Sequence, residues 1–220
     1  MVIRALIVDD SALIRKVLSD ILNQDPKIKV IGTAVNGKDG LEKVRRFKPD
    51  VVLLDNIMPV LDGLKTLSHI MKEFPTPVVI VSALGEKAEQ ITLTAFEYGA
   101  VDVIEKPSGI LSQSMPDMAE EICRKVRAAS KANLKNLGCM QDLKSQSSEN
   151  DKKKEKENRF REKTASVRNV LVIGASTGGP RALEKLIGSL PAEIPAAILV
   201  VQHMPQSFTA SLSRRLDEKS

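Results

Sequence analysis

The chain alternates short apolar runs with longer stretches in which apolar residues recur at helical spacing. Ala5-Leu-Ile-Val8 and Val51-Val-Leu-Leu54 are continuous apolar runs that each end on acid: Asp9-Asp10 after the first, Asp55 after the second. Such runs are expected of parallel strands buried on both faces, with the acids delivered to the open edge of the sheet. Between them, Ser11 caps a helix with Ile14, Val17, Leu18, Ile21 and Leu22 on one face. A strand follows from Ile28 to Ala34 and closes on an Asn36-Gly37 turn, before a short helix marked by Leu41, Val44 and Phe47. Downstream the pattern predicts a helix over 64–74, a strand over 77–82, a helix over 86–98 stopped by Gly99, a strand over 102–105, and a helix over 118–129. Five strands alternating with five helices predict a doubly wound α/β fold with a parallel sheet.

Ligands of such sheets sit beyond the carboxyl ends of the strands, where strand order reverses. The polar residues at those ends are Asp9 and Asp10, Asp55, Ser82 and Lys106. Each alone has an ordinary structural reading as a cap, a turn residue or a solvated charge. Together, three acids, a hydroxyl and an ammonium suit phosphoryl transfer, and the acids call for a divalent cation with oxygen ligands, Mg²⁺.

The apolar periodicity fails from about Lys131 to Val167, and the stretch 146–158 has no hydrophobic residue. Such a segment buries too little surface to offset its ordering entropy and reads as a solvated linker. It divides the chain into a first domain (1–130), the linker (131–167) and a second, incomplete α/β unit (168–220). In that unit a buried strand, Val170-Leu-Val-Ile-Gly174, enters Ala175-Ser-Thr-Gly-Gly-Pro180, and Pro180 suits the first turn of a helix. A phosphate-binding turn is one reading, but the dinucleotide glycine spacing and the P-loop lysine are missing. Gly174-Ala-Ser176-Thr-Gly178 matches G-x-S-x-G, which holds a serine nucleophile on a tight strand-to-helix turn. Of the 2 histidines, His69 falls on the third helix of the first domain and reads as a surface or partly buried helical residue. His203 ends a second strand, Ala197 to Gln202, where it can act as base to Ser176.

Composition narrows the classes further. The 220 residues exceed one average domain, and 42% hydrophobic content is ordinary for a globular protein. The net charge of +5 owes much to Lys152-Lys-Lys154 in the linker, without a basic helix interleaved with aromatics, so nucleic acid is not the expected partner. The 2 cysteines, Cys123 and Cys139, have no motif spacing. They fit a reducing compartment without disulfides. No apolar run reaches the roughly 20 residues of a membrane span and no signal peptide is evident, so no membrane insertion and a cytoplasmic location are expected.

The first 125 or so residues resemble the receiver domain of two-component response regulators, through Asp9-Asp10, Asp55 with Met58-Pro59 and Asp62-Gly63, Ser82-Ala83, Gly99-Ala100 and Lys106-Pro107. The resemblance implies that Asp55 takes a phosphoryl group from the phosphohistidine of a partner kinase. It implies Mg²⁺ held by Asp10, Asp55, the Ile57 carbonyl and, through water, Asp9, with Lys106 and Ser82 on the phosphoryl oxygens. Ile57 stands where receivers often carry Glu, and Val103 stands where many carry an aromatic switch residue, so an aromatic-rotamer readout is not expected.

The second unit resembles the catalytic domain of chemotaxis-specific protein-glutamate methylesterases, through Gly174 to Pro180, Gln202-His-Met-Pro205 and Phe208-Thr209. That family implies hydrolysis of glutamate methyl esters, and deamidation of glutamines, on chemoreceptors by Ser176 and His203. No cofactor is implied for the ester step, a chemotaxis histidine kinase is the implied phosphodonor, and the unphosphorylated receiver is implied to cover the site. The family's third catalytic group, an Asp well downstream of the His, has no counterpart, since Asp217 falls on an amphipathic helix with Phe208, Leu212 and Leu216. One strand, a helix, a second strand and part of a helix also make little core. A receiver acting as a binding module with an inactive esterase remnant is therefore the alternative. An α/β-hydrolase fits G-x-S-x-G but not the chain order, because there the His follows the acid.

Overall fold

The computed structural model describes residues 1–83, 85–106, 115–134, 169–191 and 194–220. Its first unit contains β1 (Ile3–Val8), α1 (Ala12–Gln24), β2 (Ile28–Ala34), α2 (Gly37–Phe47), β3 (Val51–Asp55), α3 (Gly63–Glu73), β4 (Val78–Ser82), α4 (Glu86–Glu97), β5 (Asp102–Glu105) and α5 (Met115–Ala129). The five strands form one parallel sheet in the order β2-β1-β3-β4-β5. Strand order reverses between β1 and β3, so the acids that end these two neighbours meet at the crevice there.

Because side chains alternate along a strand, the uninterrupted apolar runs supply two cores at once. Leu6, Val8, Val52, Leu54, Val78 and Ile80 pack on one face with Val44, Leu67, Ile70, Leu93 and Phe96 from α2, α3 and α4. Ala5, Ile7, Val51, Leu53, Val79 and Val81 pack on the other with Leu18, Ile21, Ile122 and Val126 from α1 and α5.

Short polar side chains fix where the helices start. Ser11 Oγ accepts from Ile14 N, and Asp62 Oδ1 accepts from Lys65 N at 2.8 Å. Asn36 does the same for α2, accepting from Asp39 N at 3.0 Å. This corrects the expected Asn36-Gly37 turn: the pair opens the helix, which therefore starts well before its first large apolar residue, Leu41. Gly37 is required there, since a Cβ would meet Thr66 Oγ1 at 2.0 Å.

The second unit contains β6 (Asn169–Ala175), α6 (Gly179–Ile187), β7 (Ala196–Gln202), a 3₁₀ turn (Gln206–Phe208) and α7 (Thr209–Asp217). Strands β6 and β7 pair in parallel, with Ala175 opposite Gln202. Their side chains are largely exposed, Val170, Val172 and Val201 all above 60%. Its buried Phe208 and Leu212 instead join the core of the first unit that holds Leu93 and Phe96. The shortage of core read from the sequence is thus met in part by leaning on α4. Most of the expected linker lies outside the described residues, but Ala132 and Leu134 still pack against the core beside α5.

Candidate functional site

The carboxyl ends of β1, β3, β4 and β5 gather the residues predicted from their positions. Asp9 and Asp55 are buried and Asp10 is exposed, and a carboxylate oxygen of each lies within 4.8 Å of the others. Lys106, just past β5, donates to Asp55 Oδ2 at 2.7 Å and makes an ion pair with Asp9 Oδ2 at 3.1 Å. Asp9 Oδ1 accepts from Ser11 N and Asp55 Oδ1 from Ile57 N, at 2.8 and 3.1 Å. Gly63 lets α3 start hard against this loop, for a Cβ there would come to 2.3 Å from the Asp55 carbonyl oxygen.

The electrostatics follow from burial. Burial pushes the Asp55 carboxyl above the ordinary range, and the nearby Asp9 charge adds to this, against the opposing pull of Lys106 and of the Ile57 N–H. Burial alone would lower Lys106, but its hydrogen bond to Asp55 and the charges of Asp55 and Asp9 outweigh that and raise it. Three carboxylates and one ammonium leave a net charge of about −2 on hard oxygen donors. That donor set fits Mg²⁺, which favours one or two carboxylates and retained waters. Asp9, Asp10 and Asp55 would hold it, with the Ile57 carbonyl in the loop that Asp55 anchors.

Ser82 is fully buried, and its Oγ accepts from Asn56 Nδ2 and Thr92 Oγ1, each at 3.1 Å. Neither partner was expected. Asn56 is legible as a polar residue directly after a buried nucleophile candidate, and Thr92 as a polar residue on the inward face of α4. Val103 is fully buried.

In the second unit, pairing of Ala175 with Gln202 sets Ser176 and His203 side by side, and His203 N donates to Ala175 O at 2.8 Å. Their side chains do not join. The Ser176 hydroxyl is buried without a hydrogen-bond partner. The His203 ring instead faces Arg124 of α5, whose Nη2 lies 2.9 Å from Nδ1 and 3.4 Å from Nε2. The turn after Ser176 is also held by the first unit: Thr177 Oγ1 donates to Asp102 Oδ2 at 2.5 Å, and Gly178 N to Val101 O at 2.8 Å. Arg215 of α7 pairs with Glu97 of α4. Arg124 and Asp102 gave no signal in the sequence, because each sits on an element read as ordinary core framework.

The remaining candidates lie apart. His69 is on the surface, paired with Glu73 at 2.7 Å, and Asp217 is exposed at the end of α7. Cys123 is buried and free, its thiol pushed up by burial, while Cys139 lies outside the described residues. No helix among the described residues is long and apolar enough to cross a membrane.

The parallel sheet in the order 2-1-3-4-5, with an acidic pocket and a lysine at its carboxyl edge, defines a response regulator receiver domain. Residues 5–113 match the family model of that domain, and residues 171–220 match the model described as CheB methylesterase. The chain thus carries a response regulator receiver domain followed by the start of a CheB methylesterase domain. It is 84% identical over all 220 residues to a protein-glutamate methylesterase/protein-glutamine glutaminase of Methanosarcina mazei, and 79% identical to one of Methanosarcina acetivorans. The chain spans 59% and 61% of the length of these relatives. Among solved structures, the response regulator domain of Thermotoga maritima CheB is 44% identical with a TM-score of 0.55, covering 60% of this chain and 99% of its own.

Proposed function

We propose that the chain is the phosphorylation-controlled part of a chemotaxis methylesterase, acting in the cytoplasm on methylated chemoreceptors and taking its phosphoryl group from a chemotaxis histidine kinase. The observation that carries the reading is the convergence of Asp9, Asp10 and Asp55 with Lys106, 2.7 Å from the Asp55 carboxylate. An Asp55 oxygen attacks the phosphorus of a phosphohistidine, the P–N bond breaks, and the released imidazole keeps the electron pair. A Mg²⁺ ion at the three carboxylates would offset the charge of the incoming phosphoryl oxygens. Lys106 turns from the bare carboxylate to those oxygens, and Ser82 supplies a hydroxyl donor.

The ester step uses the second unit. Ser176 Oγ attacks the methyl-ester carbonyl while His203 takes its proton, and that proton leaves with methanol, or with ammonia from a glutamine. Water then attacks the acyl-serine, His203 returns a proton to Ser176 Oγ, and glutamate is left. In the resting arrangement Arg124 occupies the imidazole. A guanidinium only donates, so it uses the lone pair that Ser176 needs. This supports a receiver that restrains the catalytic pair until Asp55 is phosphorylated. We assign 1–130 to the receiver, 131–167 to the linker and 168–220 to the catalytic part.

Two substitutions test this. With a small phosphodonor and Mg²⁺, the protein gains one phosphoryl group and Asp55→Asn gains none. A variant that still takes it up would remove the receiver assignment of Asp55. Methanol release from methylated receptor is expected to disappear in Ser176→Ala. If the chain is phosphorylated yet releases no methanol, it works as a receiver binding module. The buried Ser176 hydroxyl, which has no hydrogen-bond partner, favours that second reading for the chain by itself.

A further inference from the structure

The network around Ser82 is more elaborate than a resting hydroxyl needs. Asn56 Nδ2 reaches Ser82 Oγ, the Ala88 carbonyl at 3.4 Å and Thr92 Oγ1 at 3.5 Å. Thr92 has one proton to give, and both Ala88 O at 2.8 Å and Ser82 Oγ at 3.1 Å lie in its reach. Ser82 Oγ therefore accepts from two sides while its own proton points to the Ala83 carbonyl at 3.2 Å. Asn56, Ser82 and Thr92 are all buried, so these bonds do not exchange freely with water.

Burial of such groups is costly unless every one is paired, and here the pairing is incomplete. Asn56 Oδ1 is buried with no partner. Asn56 also follows Asp55 directly, so its amide is fixed by the backbone of the nucleophile itself. Thr92 lies in the middle of α4, far along the chain but facing the same hydroxyl. Two side chains, from the nucleophile loop and from a helix, thus compete for the group that a phosphoryl oxygen on Asp55 would also claim.

We propose that Asn56 and Thr92 are positioning residues that hold the Ser82 hydroxyl in its resting place and so set the cost of bringing it to the phosphorylated Asp55. As the donor–phosphorus bond breaks and the Asp55 O–P bond forms, Ser82 moves off the Thr92 hydroxyl and turns its own proton from the Ala83 carbonyl to a phosphoryl oxygen. Thr92 keeps the Ala88 carbonyl, so its proton is not stranded. The unpaired Asn56 acceptor makes the resting network only partly satisfied, which keeps this exchange shallow. The inference rests on Asp55 being the phosphoryl acceptor.

The test uses Thr92→Val, which removes the hydroxyl at nearly constant shape, and Thr92→Ser, which keeps it. With acetyl phosphate and Mg²⁺, the phosphodonor concentration for half-maximal phosphorylation, read by intact-protein mass, should fall about 2- to 10-fold in Thr92→Val, the equivalent of one net hydrogen bond. Thr92→Ser should stay with the parent. In a Ser82→Ala background, Thr92→Val should have no further effect, because the group it restrains is gone. An unchanged midpoint in Thr92→Val, or the same shift with Ser82→Ala present, overturns the proposal, the latter by showing a general packing effect. If the parent itself takes no phosphoryl group, or Asp55→Asn still does, it is the receiver reading of Asp55 that fails.

Discussion

Asp55 carries two demands that conflict. A nucleophile for phosphoryl transfer must be ionised, yet its burial raises the pKa and favours the protonated form. Lys106 answers the conflict in part, its own pKa raised by the pairing although burial opposes it. The two shifts act in different pH windows. The folded protein holds a proton on Asp55 more tightly than the unfolded chain does, so this group's contribution to stability falls as pH rises from the ordinary carboxylate range through its raised pKa. The Lys106 contribution is complete below the usual lysine range and is lost only as pH rises through its raised value. Between pH 4 and pH 7 without divalent ions, the stability of the parent should therefore drop relative to Asp55→Asn. Urea midpoints of the two proteins at both pH values measure this, and a constant difference would contradict it.

Helix α2 shows how one residue sets an element. Its first turn has no large apolar side chain, and helical order there depends on Asn36 accepting from Asp39 N and on Asp39 accepting from Val35 N at 3.1 Å. Asp39 also pairs with Lys43 at 2.9 Å. Burial alone would raise its carboxyl, but the Lys43 hydrogen bond and the Val35 N–H bring it below the ordinary range. Asn36→Ala should cost about 1 kcal/mol in urea unfolding, the usual value of a lost cap, whereas Asn36→Asp should cost little. The same element marks where the hydrophobic pattern misleads. Leu41, Val44 and Phe47 locate the buried stripe but say nothing of the polar turn before it, which an apolar count reads as loop. Strands β3 and β4 suffered no such error, since five consecutive buried residues leave only one place for them in a covered sheet.

The two units are joined by contacts of the second with α4, β5 and α5 of the first. Phe208 and Leu212 enter the receiver-side core, Thr177 and Gly178 bond to Asp102 and Val101, and Arg124 meets His203. Apolar anchoring dominates this interface, because a fully buried Phe contributes more than a single partly exposed ion pair such as Arg215–Glu97. Phe208→Ala should cost about 3–5 kcal/mol of local stability. Amide exchange in β6, β7 and α6 should then speed up on the order of 10²-fold or more, while β1, β3 and β4 stay protected. Unchanged exchange in β6 and β7 would mean that the second unit stands without the first.

The order of residues along the chain was enough to announce the sheet, the acids at its carboxyl edge, Lys106, Ser82, and the strand-end positions of Ser176 and His203. Continuous apolar runs and strand termini are local properties, and parallel topology sends every such terminus to the same edge. Contacts between elements distant in sequence were not announced. Asn56 and Thr92 around Ser82, Arg124 on His203, and Asp102 on Thr177 join positions 10 to 79 residues apart. A polar residue on an inward helix face has no partner written beside it. It acquires one only when packing brings two buried groups so close that both must be paired.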